Sequence, residues 1–143
     1  MIFIASDHGG FDLKNKIVTK FKKEETEIID LGAHELDPTD DYPNYVKILT
    51  EKVLSSAENK GILICRNGVG VCMAANKYKG IRAGLSWNHK HAISSRNDDD
   101  TNVLCLPADY IQDEDAINTV KAWLETPFGN KERYVRRLQE ANL

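Results

Sequence analysis

The sequence predicts an α/β fold in which a parallel β-sheet carries helices on both faces. Short apolar segments recur along the chain, and between them apolar residues recur with helical spacing. Strands that alternate with helices in this way form a parallel sheet, whose two faces are both covered. At 143 residues, with 41% hydrophobic and 29% charged residues, the chain has the composition of a soluble globular protein. We expect residues 1–143 to form a single domain with a core of its own.

The predicted strands and helices alternate from the first residues onward. Leu13, Ile17 and Phe21 lie four residues apart and mark the apolar face of the first helix. The segment 33–43 is polar, holds two prolines and is predicted to be a loop. The predicted strands are 2–6, 27–32, 61–65, 81–85 and 102–107. The predicted helices are 11–24, 44–57, 69–77, about ten residues from Trp87, 113–125 and 130–141.

The loops that follow parallel strands collect at one edge of the sheet. Crossovers in such sheets are right-handed, and ligands bind outside the carboxyl ends of the strands. The polar residues that follow strands one, three and four are therefore candidates for one site: Asp7 and His8, the stretch 65–70, and the stretch 87–91. The last helix, 130–141, is strongly charged, and we expect it to pack on a partner subunit.

Composition excludes several classes of function. A net charge of −3 argues against the basic face that nucleic acid requires. The apolar runs are too short to span a bilayer, and the start MIFIASDHGG lacks the basic region of a signal peptide. Cysteines occur at 65, 72 and 105 without CxxC spacing, which argues against a disulfide framework or a zinc site and favours a reducing cytoplasm. Cys72 and Cys105 are predicted core residues.

The stretch CRNGVG, residues 65–70, ends a predicted strand on a thiol and opens a helix with glycines. Backbone N–H groups at such a turn form an anion-binding nest, and the helix dipole favours a thiolate beside it. The phosphatase pattern needs arginine at 71 and the dinucleotide fingerprint needs glycine at 73, and both are absent. The residues alone leave two interpretations open: a base beside an anion pocket, or a buried cysteine before a structural turn.

Three further stretches contain candidate functional residues. In SDHGG, Asp7 and His8 either bind a hydroxyl and move a proton, or cap a helix and lie in solvent. In DPTDDYP, residues 37–43, the acids are predicted to form a solvated turn, and Tyr42 is a candidate pocket residue. In RNDDDTN, residues 96–102, no second acidic or histidine cluster can be paired with the acids, so we expect no metal site.

Arg133 and Arg137 lie four residues apart and therefore on one face of the last predicted helix. Two guanidinium groups placed together suit a phosphate. The spacing alone favours the alternative, a solvated face on which they pair with Glu132 and Glu140.

The stretches SDHGGFDLK, DYPNY, GILICRNGVGVCMAANKYKGIRAGL and DTNVL, followed by the arginine-rich helix, lie in order along almost the whole chain. Together they resemble the ribose-5-phosphate isomerase B family, which includes the galactose-6-phosphate isomerase subunits. The resemblance implies a Rossmann-like three-layer α/β/α sandwich around a five-stranded parallel sheet. It also implies a cytoplasmic isomerase of carbohydrate metabolism, in the pentose phosphate pathway, without metal or cofactor. Members form dimers or tetramers that share each active site between two subunits.

The resemblance implies a reaction and a set of site residues. Members interconvert aldose and ketose phosphates by moving a proton between C1 and C2 through a cis-enediolate. By position, Cys65 matches the catalytic base, and Asp7 and His8 match the substrate-binding pair. Tyr42 matches a pocket residue. The backbone turn from Asn67 to Val71, with Gly68, Val69 and Gly70, matches the turn that stabilises the enediolate oxygen. Arg133 and Arg137 match the phosphate-binding arginines.

The chain departs from the family pattern around this site. Asn67 replaces a threonine credited with proton transfer, and an amide hydrogen-bonds but is not an acid near neutral pH. Arg66 replaces a glycine. Asp98 replaces a histidine that helps to open the sugar ring, and Asp99 replaces an asparagine that binds hydroxyls. Asp109 aligns with a phosphate-binding arginine of many members, and a carboxylate there would repel a phosphate.

Two compensations for these departures stay open. In one, Arg66 pairs with Asp98 or Asp99 across the subunit interface. In the other, His89 or His91 takes over ring opening.

We take interconversion of ribose 5-phosphate and ribulose 5-phosphate as the leading function. Cys65, Asn67 and Asp98 are its expected catalytic residues, and Arg66 and Asp99 are expected to contact the substrate. The alternatives are an isomerase of a different or unphosphorylated sugar, and a weakly catalytic sugar-phosphate-binding protein. A nucleotide- or flavin-binding domain is a third alternative, against which the absent fingerprint glycine counts.

Overall fold

A five-stranded, all-parallel sheet forms the centre of the molecule. The computed structural model describes residues 1–143. The strands lie in the order β2-β1-β3-β5-β4, so β4, the fourth strand along the chain, forms one edge and pairs only with β5. The strands are β1 (Ile2–Ser6), β2 (Ile29–Asp30), β3 (Lys60–Cys65), β4 (Ala83–Leu85) and β5 (Val103–Pro107).

Six α-helices connect and cover these strands. They are α1 (Phe11–Lys23), α2 (Tyr42–Leu54), α3 (Val69–Ala75), α4 (His89–Asp99), α5 (Asp113–Glu125) and α6 (Glu132–Glu140). The predicted parallel α/β class is confirmed, and every predicted element forms: β1 and α5 have the predicted bounds, and the others have shifted ends. Two shifts are notable: α2 begins two residues before the predicted position 44, and β2 is reduced to two residues. The earlier start places Pro43 in the first turn of α2, where proline is well tolerated because a backbone N–H at that position would have no partner within the helix.

Alternation along the strands divides the core into two layers. On one face, Ile4, Ile62 and Leu104 pack against α1, α4 and α5, with the fully buried Trp123 among them. The other face includes Cys65 and packs against α2 and α3. Successive side chains of a strand point to opposite faces, so a two-sided core requires the continuous apolar runs that the sequence contains.

The order of the strands places a crevice beside the first one. From β1 the chain moves outward to β2, and then returns to place β3 on the other side of β1. The loops after β1 and β3 therefore leave the sheet in opposite directions, and such a switch point is where open α/β sheets bind ligands. This crevice separates Asp7 and His8 from the turn that follows Cys65.

An ion pair between a buried lysine and a partly exposed aspartate joins α1 to the end of β2. The side chain of Lys14 is fully buried, and its Nζ lies 2.6 Å from Oδ2 of Asp30. Oδ1 of Asp30 accepts the backbone N–H of Gly32 at 2.9 Å, and the carbonyl of Gly32 accepts the N–H of Ser6 at 2.8 Å. The pair thus supports the backbone beside the end of β1, one residue before Asp7.

None of the helices combines the length and apolar character needed to cross a membrane.

Candidate active site

Cys65 is the last residue of β3 and stands at the edge of the crevice. Its side chain is buried, and its Sγ lies 3.9 Å from Oδ1 of Asn67. Gly68 turns the chain into α3 with φ of +71°, in the left-handed region that favours glycine. A Cβ at Gly68 would lie 3.0 Å from the carbonyl carbon of Leu106 and 3.1 Å from the nitrogen of Pro107. The turn therefore needs glycine both for its backbone angle and for its close approach to β5.

The turn after Cys65 presents free amide groups. The N–H of Val69 donates to Oδ1 of Asn67 at 3.0 Å, so the side chain of the turn satisfies one of its own donors. The N–H groups of Gly70 and Val71 have no acceptor within the chain. Unpaired N–H groups at the start of a helix stabilise a negatively charged oxygen. The turn is therefore suited to hold an oxyanion next to the thiol.

Asp7 follows β1 across the crevice and serves as a cap. Its Oδ1 accepts the N–H of Gly9 at 2.9 Å and that of Gly10 at 3.3 Å. Burial raises the pKa of Asp7, and this effect outweighs the opposing influence of His8 and the two N–H groups. The capping role and the site role thus fall on one residue.

His8 is held by a carboxylate from the loop before α2. Its Nδ1 lies 2.7 Å from Oδ1 of Asp40, and the imidazole is about a quarter exposed. The hydrogen bond to Asp40 is the main reason that the pKa of His8 is raised. The sequence predicts that the acids of this loop are solvated, and it does not distinguish Asp40 from the others. The only available signal was its position two residues before Tyr42.

These elements enclose a cleft of about 400 Å³. It contains a thiol, an imidazole, a carboxylate, a phenol and the glycine turn. Tyr42 reaches it from the first turn of α2, where its ring packs against Gly70. The lining residues are Asp7, His8, Tyr42, Cys65, Arg66, Asn67, Val69, Gly70 and Met73.

Arg66 is paired with Asp109 within the chain. Nη1 of Arg66 lies 3.6 Å from Oδ2 of Asp109, and the carbonyl of Arg66 accepts the N–H of Asp109 at 2.8 Å. Both side chains are largely exposed, so the attraction is screened by solvent. The two departures from the family pattern therefore offset each other in charge. Within one chain the partner of Arg66 is Asp109, and not Asp98 or Asp99, which are the candidates that the sequence offers across a subunit interface.

Five of the predicted site residues do not line this cleft: Gly68, which lies within the turn, and four residues on α4 and α6. Asp98 lies on α4, where Asn97 donates to it at 2.6 Å and lowers its pKa. Burial, followed by the charge of Asp98, raises the pKa of Asp99. Arg133 lies on α6 over the ring of Tyr134, 4.9 Å from its centroid. We call these residues the α4–α6 group: Asp98, Asp99, Arg133 and Arg137.

A larger cavity, of about 470 Å³, lies elsewhere, between β4 and α4. Its walls include Asp99 and His91, and Oγ of Ser86 lies 2.8 Å from Nδ1 of His91. It contains neither a thiol nor unpaired turn amides. The smaller cleft is therefore the better candidate for an active site, because it combines a thiol with unpaired amides and the larger cavity has neither.

Asp7, His8 and Asp40 are the one group of side chains placed to share a metal ion, with ligand atoms within 4.8 Å of one another. Asp40 already binds His8 through two hydrogen bonds, and Asp7 binds two backbone N–H groups. These internal partners account for the cluster without an ion.

Nearly the whole chain, including the stretches that form the cleft, is similar to known proteins. Residues 2–141 match the family model described as Ribose/Galactose Isomerase. The chain belongs to the ribose/galactose isomerase family. The resemblance seen in the sequence is thereby confirmed.

Individual members of the ribose/galactose isomerase family are similar over most of their length. The probable ribose-5-phosphate isomerase B of Mycoplasma pneumoniae is 46% identical over 127 residues, which cover 89% of this chain and 84% of the relative. Ribose-5-phosphate isomerase B of Escherichia coli is 40% identical over 123 residues, which cover 86% of this chain and 82% of the relative. The crystal structure of ribose-5-phosphate isomerase B from Mycoplasma genitalium with bound ribulose-5-phosphate has a TM-score of 0.93 at 41% identity, and covers 99% of this chain and 93% of that one.

Proposed function

We propose that this chain is an aldose–ketose isomerase that interconverts ribose 5-phosphate and ribulose 5-phosphate. The observation that carries this proposal is the likeness to the Mycoplasma genitalium enzyme, whose structure holds ribulose-5-phosphate and matches 99% of this chain. The cleft at the switch point supplies the groups that the reaction needs. Abstraction of a proton next to a carbonyl requires a base and a stabilised oxyanion.

In the proposed reaction Cys65 acts as the base. Its thiolate removes the proton from C2 of the open-chain aldose, and the C2 electron pair forms the double bond of a cis-enediolate. The proton returns to C1, while one proton moves from the oxygen on C2 to the oxygen on C1, so the ketose has the composition of the aldose. The unpaired N–H groups of Gly70 and Val71 hold the developing oxyanion. Asn67 contributes a hydrogen bond and no proton, since an amide is not an acid in this pH range.

The other cleft residues bind and orient the sugar. Asp7 and His8 line the cleft across the crevice from the turn, and in the proposed reaction they bind the sugar. Tyr42 limits the width of the cleft at Gly70. Arg66 adds a cation at its rim, partly neutralised by Asp109. A cleft of about 400 Å³ has room for a five-carbon sugar phosphate.

We also propose that the chain acts as a dimer in which the α4–α6 group completes the cleft of the partner. Arg133 and Arg137 suit a phosphate, yet the cleft of their own chain does not include them. Helix α6 is charged and largely exposed, and Tyr134 is its one buried residue. Residues that are remote within one chain come together when a two-fold axis relates two copies.

Turnover of purified protein with ribose 5-phosphate tests the reaction. A coupled assay measures the rate with ribose 5-phosphate and, for comparison, with allose 6-phosphate, galactose 6-phosphate and free ribose as substrates. In deuterated solvent, the enediolate route is expected to place solvent deuterium at C2 of the recovered aldose. Turnover of another sugar alone would replace the proposed substrate. A ligand-induced rise in melting temperature without turnover of any sugar would contradict the proposed activity and favour a binding protein.

Complementation between two inactive variants tests the shared site. Cys65→Ala and Arg137→Ala are each expected to be inactive as homodimers. In a mixed dimer one of the two sites is intact, so a random mixture is expected to regain about one quarter of wild-type activity. Arg136→Ala, which removes a charge from the same helix outside the α4–α6 group, serves as the matched control and is expected to stay active on its own. Absence of any recovery in the mixture would contradict a site shared between subunits.

A further inference from the structure

Asp40 connects three parts of the chain through one carboxylate. Its Oδ1 accepts the backbone N–H of His8 at 2.9 Å and lies 2.7 Å from Nδ1 of the same residue. Its Oδ2 accepts the phenol O–H of Tyr45, from α2, at 2.9 Å. The Asp40 side chain is only 9% exposed, although it comes from a loop. Both oxygens are thus committed to partners 32 and 5 residues away in the sequence.

These contacts determine which nitrogen of His8 carries a proton. Burial opposes ionisation of Asp40, but hydrogen bonds from His8 and Tyr45 outweigh it and the pKa of Asp40 is lowered. An ionised carboxylate only accepts hydrogen bonds, so Nδ1 of His8 must be the donor. Nε2 is then the nitrogen that gains and loses a proton, and it is the one left for a ligand.

We propose that Asp40 is a positioning residue for His8: it fixes the Nδ1–H form of the imidazole and presents Nε2 to the substrate in the cleft that contains Cys65. This inference rests on the proposed function, because His8 is the residue through which Asp40 acts. Tyr45 supports the carboxylate from behind. Asp40 itself touches no substrate and does not line the cleft.

Asp40 also affects the pH at which His8 changes charge. The groups that face His8 are Asp7, Asp37 and Asp40, which are acidic, and the Arg66 cation. The hydrogen bond to Asp40 is the largest of these influences and raises the pKa of His8. The pKa of Tyr45 is raised to about 12, by burial and then by its bond to Asp40, so Tyr45 remains a donor in any assay buffer.

The test compares Asp40→Asn with Asp41→Asn. Asparagine at position 40 can still accept a hydrogen bond from His8 but carries no charge. Asp41 is a suitable control because it is exposed and its side chain makes no capping hydrogen bond to α2. The titration of His8 is followed by NMR of protein with labelled histidine, with the His8 signal assigned from a His8→Gln variant. The pKa of His8 is expected to fall in Asp40→Asn and to stay near the wild-type value in Asp41→Asn.

Kinetics provide the second readout. A hydrogen bond to a charged group contributes more than a neutral one, so Asp40→Asn is expected to lower kcat/KM about tenfold. The limb of the pH profile that belongs to His8 is expected to move to lower pH, which a purely structural loss would not cause. An unchanged His8 titration, an equal shift in both variants, or a pH profile that keeps its limbs would each overturn the proposal. The NMR titration needs no turnover, so failure here is distinct from failure of the proposed isomerase.

Discussion

Replacement of Cys65 by alanine is expected to reduce kcat for ribose 5-phosphate by roughly 10³-fold, within the range of about 10² to 10⁴ that a positioned general base contributes. The thiol is the one cysteine side chain that lines the cleft, and it comes immediately before the turn that carries the unpaired amides. KM is expected to change little, because Asp7, His8 and Tyr42 remain in place. Initial rates in the coupled assay, together with the melting temperature, measure the two effects separately.

Cys72→Ala is the matched control for this prediction. Cys72 lies on α3 outside the cleft, and its Sγ is 3.4 Å from the carbonyl of Ala83. A hydrogen bond with Cys105 lowers the pKa of Cys72 to about 7, against the opposing effect of burial, so Cys72 is a control that also has a perturbed thiol. Cys72→Ala is expected to keep most of the activity. Full activity in Cys65→Ala, or equal losses in both variants, would remove Cys65 from the mechanism.

Loss of the buried charge of Lys14 is expected to lower the free energy of unfolding by about 3 kcal/mol, the lower end of the cost of breaking a buried ion pair. In Lys14→Met the fully buried methylene stem is replaced by an apolar chain of similar length, but Asp30 loses its cation. The carboxylate retains some contact with water, which limits the cost. Urea unfolding followed by circular dichroism measures the change.

Two companion variants isolate the charge effect. Lys16→Met breaks an ion pair of similar length, 2.7 Å to Asp113, between two exposed side chains, and is expected to have little effect. Adding Asp30→Asn to Lys14→Met removes the stranded charge and is expected to restore part of the lost stability. A Lys14→Met protein as stable as Lys16→Met, or a double variant less stable than the single one, would contradict this account of the pair.

Local patterns in the sequence were sufficient to predict the class of the fold and most of its elements. Apolar spacing located α1 through Leu13, Ile17 and Phe21, and all three are buried. The same pattern gave no indication of Lys14, because a lysine in a helix is ordinarily solvated and its partner Asp30 is 16 residues away. The start of α2 depends on a proline in its first turn, and the length of β2 depends on its pairing with β1 at the edge of the sheet. Local periodicity describes neither effect.

The candidate site shows the same division between local and distant signals. Cys65 and the glycine turn are contiguous, so the sequence displayed them together. Asp7 and His8 reach the same cleft because they follow β1, the strand that pairs with β3, and the loops after parallel strands collect at one edge of the sheet. Asp40 could not be found, because its role depends on a loop that folds back over β1 from the far side of β2. In the proposed dimer, a second copy of the chain brings the α4–α6 group to the cleft, and local patterns in one copy do not describe the symmetry axis between two copies.

The position of β5 has a consequence for how the chain acquires this structure on the ribosome. β5 is the last strand to be made, yet it lies between β3 and β4 and is the sole partner of β4. A nascent chain that ends before Val103 can assemble β2, β1 and β3, but it leaves one side of β3 open and β4 without a neighbour. Open strand edges pair readily with other chains. Between synthesis of β3 and synthesis of β5, a growing chain therefore has an open strand edge on β3, and Cys65 at the end of that strand still lacks its β5 neighbour Pro107.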